Sequence, residues 1–208
     1  TNIVFRRTYA KRMGYEDTEV AAKAFMWNNA LRKRKEFVLN HPIKLEIAKQ
    51  ILRARPNSKA ITFNSTIKQC ESYGFGYVVH SKETKKKNRL TMDEFAKVDK
   101  GVIHSSKALN EGVDCPGLNL GIITSNSSSK TSKIQRTGRI IRYEEGKEAE
   151  LFTLVLKGTM EESWFNNSTS GRNYIEISDI ELEDILNNKT IENRKEEIAD
   201  GKLDFFRF

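Results

Sequence analysis

Short apolar runs alternating with helical segments constrain this chain more than any other feature. "KAITFN" (59–64), "GYVVHS" (76–81), "GVIHS" (101–105), "LNLGIITSN" (118–126) and "ELFTLVL" (150–156) read as strands. Residues 66–73, 91–98 and 131–143 read as helices between them. Strands and helices alternating at this spacing predict a parallel sheet with helices on both faces, joined by right-handed crossovers. "TKKKN" (84–88) reads as a solvated loop, and Thr91 with Glu94 as the capping box of the helix that follows.

Helices flank this core. From Asp17 to Leu39, Val20, Ala24, Trp27, Leu31 and Val38 recur near helical spacing, with "RKRKE" (32–36) as a basic face. Asn40-His41-Pro42 breaks that helix, and Pro42 suits the first turn of a second one. The second helix runs to about Ala54, with Ile43, Ile47, Ile51 and Leu52 as its apolar stripe. After Gly158 the sequence turns polar and turn-rich, then gives a short acidic helix over 178–189 and an apolar end, "KLDFFRF". The expected division is a connector and helix (1–42), an α/β domain (43–157) and a C-terminal extension (158–208).

The net charge of +8 points toward a polyanionic partner, although a well-solvated surface is the plainer reading of charge alone. Cys70 and Cys115 have neither metal-ligand spacing nor a nearby histidine cluster, so a zinc site or disulfide is not expected and a reducing cytoplasmic setting fits. No run suits a membrane span and no signal peptide is visible. The chain begins at Thr1, which suggests a fragment or processed piece.

A self-sufficient nucleotide hydrolase of this class needs GxxxxGK[ST]. Only Gly146 and Gly201 precede a lysine, and neither lysine is followed by Ser or Thr. "GFG" (74–76) does not continue as GxGxxG, and "DEFA" (93–96) lacks a buried strand before it. Yet "QRTGRIIR" (135–142) holds Arg136, Arg139 and Arg142 three apart, within an arc of about 120° on a helix. Such a face is usually solvated and paired with carboxylates, and Glu144, Glu145 and Glu148 lie nearby.

The motif and its upstream partner settle this differently together. "SSKALNEGVDCPGLNLGIITSNSSSKTSKIQRTGRIIR" (105–142) resembles motifs V and VI of superfamily 2 helicases and translocases, nearest to excision-repair type and phage recombination DNA helicases. "AITFNST" (60–66) is similar to motif IV. The resemblance covers about residues 43–157 and implies the C-terminal RecA-like domain of a two-domain motor. In that family the two domains sandwich ATP, and the first carries the P-loop and the acidic box that holds Mg2+.

By that resemblance, Arg139 and Arg142 are arginine fingers for the γ-phosphate, since planar cations stabilise charge on a transferring phosphoryl group. Gln135 and Arg136 would meet the nucleotide edge and the facing acidic box. Gly112 and Asp114 would approach the ribose and phosphates. Ser106, and Ser65 or Thr66 with Lys107, would hold nucleic-acid phosphates without reading sequence. Read alone, Gly112 and Asp114 also suit a turn before Pro116, and Ser106 a strand end. Trp27 and Trp164 suit packing, and His41, His80 and His104 carry no assigned role. Lys107 stands where many members carry an acidic residue, and "SNSSSK" (125–130) is unusually polar.

The implied function is the second motor domain of an ATP-dependent helicase or translocase. It would act with a first RecA-like domain on single- or double-stranded nucleic acid, DNA in the first instance, in the cytoplasm or a host cytoplasm if viral. The alternatives are the motor of a restriction or remodelling enzyme, an RNA helicase, or a lone non-catalytic RecA-like binding module.

Overall fold

The computed structural model describes residues 18–106, 115–125, 149–169, 174–177 and 179–187. The chain divides into two units, Thr1–Leu39 and Asn40–Phe208. The first contains helix α1 (Thr18–Leu39). Phe25, Met26, Trp27 and Phe37 are exposed on it.

The second unit opens with α2 (Pro42–Ala54), with Pro42 at its start and the His41 ring accepting the Ile43 N–H. Its inward face is Lys44, Ala48, Ile51 and Leu52, recurring at helical spacing. The expected stripe is therefore shifted by one residue at its start: Ile43 is 47% exposed and Lys44 only 2%. Lys44 can sit inside because Glu161, wholly buried, receives its ammonium at 2.5 Å.

Then follow β1 (Lys59–Asn64), α3 (Ile67–Glu71), β2 (Tyr77–His80), α4 (Lys85–Ala96), β3 (Gly101–Ser106), β4 (Leu120–Ile123) and β5 (Glu150–Thr153). The five strands form one parallel sheet in the order β2-β3-β1-β4-β5. Every residue of central β1 is buried, which requires cover on both faces. One face packs Ile61, Phe63, Val79 and Ile103 against Met92 and Phe95 of α4. The other packs Ala60, Val102, Leu120 and Ile122 against Ala48, Ile51 and Leu52 of α2. The expected α/β architecture is the observed one.

Three local expectations fail. The lysine run is not a loop but the first turns of α4, capped by Thr84, whose hydroxyl accepts the Lys87 N–H at 3.2 Å. Asn88 ties that turn to both backbone groups of His80, and Thr91 lies inside the helix rather than at a capping box. Residues 160–169, expected as turns, form α5 (Met160–Thr169), with Glu161 and Glu162 in the first turn where the helix dipole favours them. The acidic helix α6 (Asp179–Leu186) forms as expected. Arg55 joins it to the sheet, gripping Glu150 through two nitrogens at 2.7 and 3.0 Å and donating to the carbonyls of Ile185 and Leu186. The expected helix over 131–143 lies outside the described residues. Among the described residues no helix is long and apolar enough to cross a membrane.

Candidate functional site

A parallel sheet delivers the C-terminal ends of all its strands to one edge, where α/β domains place their ligand sites. Here Asn64, Ser106 and His80 stand in register at the ends of β1, β3 and β2. Ser65 and Thr66 follow Asn64 directly, so they and Ser106 share this edge across adjacent strands.

The loop after β1 is held by its own polar groups. Thr66 caps α3, its hydroxyl accepting the Gln69 N–H at 3.2 Å. The Ser65 N–H donates to Gln69 Oε1 at 3.1 Å. Both hydroxyls donate to Asn40 Oδ1, Thr66 at 3.3 Å. Gln69 Nε2, His80 Nδ1 and Ser105 Oγ are buried side-chain atoms with no hydrogen-bond partner among the described residues.

A polar network lies beneath the edge, on the α2 side of the sheet. His104, fully buried, stacks on Tyr73 with ring centres 3.9 Å apart. Its Nε2 lies 3.0 Å from the Phe75 carbonyl, which can only accept, so Nε2 carries the proton. Nδ1 then accepts the Thr62 hydroxyl at 2.8 Å. The Asn64 amide donates to Thr62 Oγ1 at 2.8 Å and accepts from Tyr73 and Thr124 hydroxyls at 3.3 and 3.1 Å. Burial pushes the His104 imidazole down to about 4, partly opposed by the Phe75 carbonyl, so it is neutral at neutral pH. Gly76 makes this possible: at φ +79 a Cβ there would meet the Val102 carbonyl at 2.7 Å.

Next to the network, Lys44 Nζ donates to the Thr124 carbonyl at 3.1 Å as well as to Glu161, which also accepts the Leu156 N–H at 3.0 Å. Burial pulls the Lys44 ammonium below its ordinary value, and Glu161 opposes that. The pair thus joins α2, the end of β4, the chain after β5, and α5. Cys70 and Cys115 are buried thiols, and burial pushes Cys70 up to about 12, which leaves it unreactive.

Ser65, Thr66 and Ser106 are therefore brought to one edge. Lys107, Gly112, Asp114, Gln135, Arg136, Arg139 and Arg142 lie outside the described residues. The sequence reading missed Asn40, Gln69, Lys44, Glu161 and the His104 network. Their signals were weak, because a buried lysine or histidine looks like a surface one until its partner is known.

Residues 43–144 match the helicase conserved C-terminal domain. The chain is 28% identical over 151 residues to DNA 3'-5' translocase XPB2 of Sulfurisphaera tokodaii, covering 71% of this chain and 33% of that protein. It is 29% identical over 125 residues to ATP-dependent RNA helicase DDX55 of Mus musculus, covering 55% of this chain and 20% of that protein. The chain thus spans a third or less of the curated relatives it matches. In fold it is similar to S. cerevisiae Dbp5 bound to RNA and ADP BeF3, with TM-score 0.58 at 15% identity, covering 73% of this chain and 41% of that one. It is also similar to the C-terminal part of the Fun30 ATPase domain, with TM-score 0.53 at 20% identity, covering 88% and 67%.

Proposed function

We propose, from the match of residues 43–144 to the helicase conserved C-terminal domain, that this chain is a superfamily 2 C-terminal RecA-like domain, the second half of an ATP-driven nucleic-acid motor. The observation that carries the reading is that match, over a sheet whose C-terminal edge aligns Ser65, Thr66 and Ser106. A first RecA-like domain would supply the P-loop and the acidic box, and would hold Mg2+ with ATP. This chain would supply Arg139 and Arg142 to the γ-phosphate, Gln135 and Arg136 to the nucleotide edge and facing domain, and Gly112 and Asp114 to the ribose and phosphates. Ser65, Thr66, Ser106 and Lys107 would grip strand phosphates. Closing and opening of the cleft would then alternate that grip along the strand.

We take DNA as the strand, in keeping with the similarity to a DNA translocase, and residues 43–157 as the motor core. The similarity to an RNA helicase supports RNA as the second reading. The cytoplasm is the matching compartment.

Steady-state ATP hydrolysis tests this. The isolated 208-residue chain should not turn over ATP with or without DNA. Joined to its first motor domain it should, and Arg139→Lys should then cut turnover by about a thousandfold with ATP affinity little changed, since lysine keeps the charge but loses the planar fork. Turnover by the isolated chain, or near-normal turnover in Arg139→Lys, would end the two-half-site reading.

A further inference from the structure

The loop after β1 meets all but one of its side-chain donors, and that one is buried. Thr66 Oγ1 already accepts the Gln69 N–H, so its own hydrogen must go elsewhere, and it goes to Asn40 Oδ1. The Ser65 hydroxyl lies closest to the same oxygen, with Gln69 Oε1 as a second acceptor at 3.4 Å. Gln69 Oε1 accepts the Ser65 N–H, while Gln69 Nε2, on the same carbon, carries two hydrogens and meets no partner among the described residues. Gln69 is only 6% exposed, so that donor is removed from water. Converging hydroxyls beside an orphaned amide N–H suit an anionic oxygen and repel a cation. One atom now occupies the focus of the two hydroxyls: Asn40 Oδ1, a neutral amide oxygen.

We propose that the position held by Asn40 Oδ1 is a subsite for a non-bridging oxygen of a strand phosphate, that Gln69 Nε2 is a further donor to that phosphate, and that Asn40 sets the affinity of the grip by competing for it. This rests on the reading of Ser65 and Thr66 as a strand grip and adds the two residues that tune it. A phosphate oxygen carries more charge than an amide oxygen and makes stronger hydrogen bonds to the same hydroxyls. Strand binding withdraws Asn40 Oδ1, delivers both hydroxyls to the phosphate and gives Gln69 Nε2 its missing acceptor. Asn40 is also the first residue of the second unit, directly after α1 and two residues before α2.

The test uses the 208-residue chain and fluorescence anisotropy with a labelled oligothymidylate and an oligouridylate of equal length, at several salt concentrations. Asn40→Ala and Asn40→Ser should each tighten binding by about fivefold, the equivalent of one net hydrogen bond. Their salt slope should match the parent chain, because no charge changes. Asn40→Asp, a stronger acceptor that also repels phosphate, should weaken binding by about tenfold. Gln69→Met, similar in shape but without the donor, should weaken it about fivefold. Circular dichroism confirms that each variant is folded, and Asn40→Ser decides if the alanine variant is not. Unchanged or weaker binding in the Asn40→Ala and Asn40→Ser variants, with binding lost in Ser65→Ala, overturns the subsite and leaves the grip standing. Full binding in Ser65→Ala, or no binding by any form of the chain, overturns the grip and the subsite with it.

Discussion

On the α4 side of the sheet, Ile61, Phe63, Val79, Ile103, Met92 and Phe95 meet as an apolar layer. On the α2 side, Thr62, Asn64, His104 and Tyr73 interrupt an otherwise similar layer with a chain of hydrogen bonds. Both faces belong to the same strands, so the difference is one of alternating residues. The apolar face gains from burial and tolerates small shifts. The polar face must hold one geometry, because each donor there is worth little when paired and costs much when orphaned. That face ends at Asn64, one residue before the proposed grip. Stability and positioning are thus divided between the two sides of one sheet.

Deleting bulk from the apolar face should give the largest loss. Phe95 is fully buried, and Phe95→Ala should cost about 4 kcal/mol in urea unfolding. If the faces are divided as described, oligonucleotide binding by the remaining folded protein should be unchanged. Altered binding in that variant would blur the distinction.

The ion pair beside the polar face sharpens it. Lys44→Ala alone leaves Glu161 buried without its cation and should cost about 3–4 kcal/mol. Lys44→Met combined with Glu161→Leu should recover most of that, since a buried pair often gains little net stability over apolar residues. Equal losses in the single and double variants would mean that the contacts to Thr124 and Leu156, rather than the charges, dominate.

The smallest effect is a pH dependence confined to the polar face. His104 binds its proton in the unfolded chain near pH 6.5 but in the folded one only near 4. The unfolded state therefore holds more protons in that window, and stability should fall as pH drops from about 6.5 to 4, by up to about 3 kcal/mol. His104→Gln should flatten the profile there, measured as melting temperature against pH. An unchanged slope would place the acid sensitivity elsewhere.

The sheet was readable because its strands carry contiguous apolar runs, and burial on both faces writes itself into composition. The start of α4 was hidden because three lysines resemble a solvated loop, whereas the signal that mattered was Thr84 one position earlier. α5 was hidden because Glu161 and Asn166 look polar wherever they sit, and only Lys44 shows that Glu161 belongs inside. Ser65, Thr66 and Ser106 could be picked out by resemblance to motifs IV and V, and the sheet does bring them to one edge. Asn40 and Gln69 could not, since their significance lies in which hydrogen is already spoken for. The same limit applies to His104: a histidine between apolar residues gives no hint of the Thr62 hydroxyl 42 positions away.

The 117 positions between Lys44 and Glu161 also have a consequence for biosynthesis. Translation at about 5–20 residues per second leaves the nascent Lys44 without its carboxylate for on the order of ten seconds. Through that interval α2 cannot seat its first turn against the sheet without stranding a charge away from water. The apolar stripe of Ala48, Ile51 and Leu52 lacks its partners Leu120 and Ile122 for most of that interval as well, and the carboxylate on α5 is synthesised after them. The order of synthesis makes α5 the piece that supplies the missing charge to the first helix of this unit, and a chain truncated just before it is expected to be less stable than the whole.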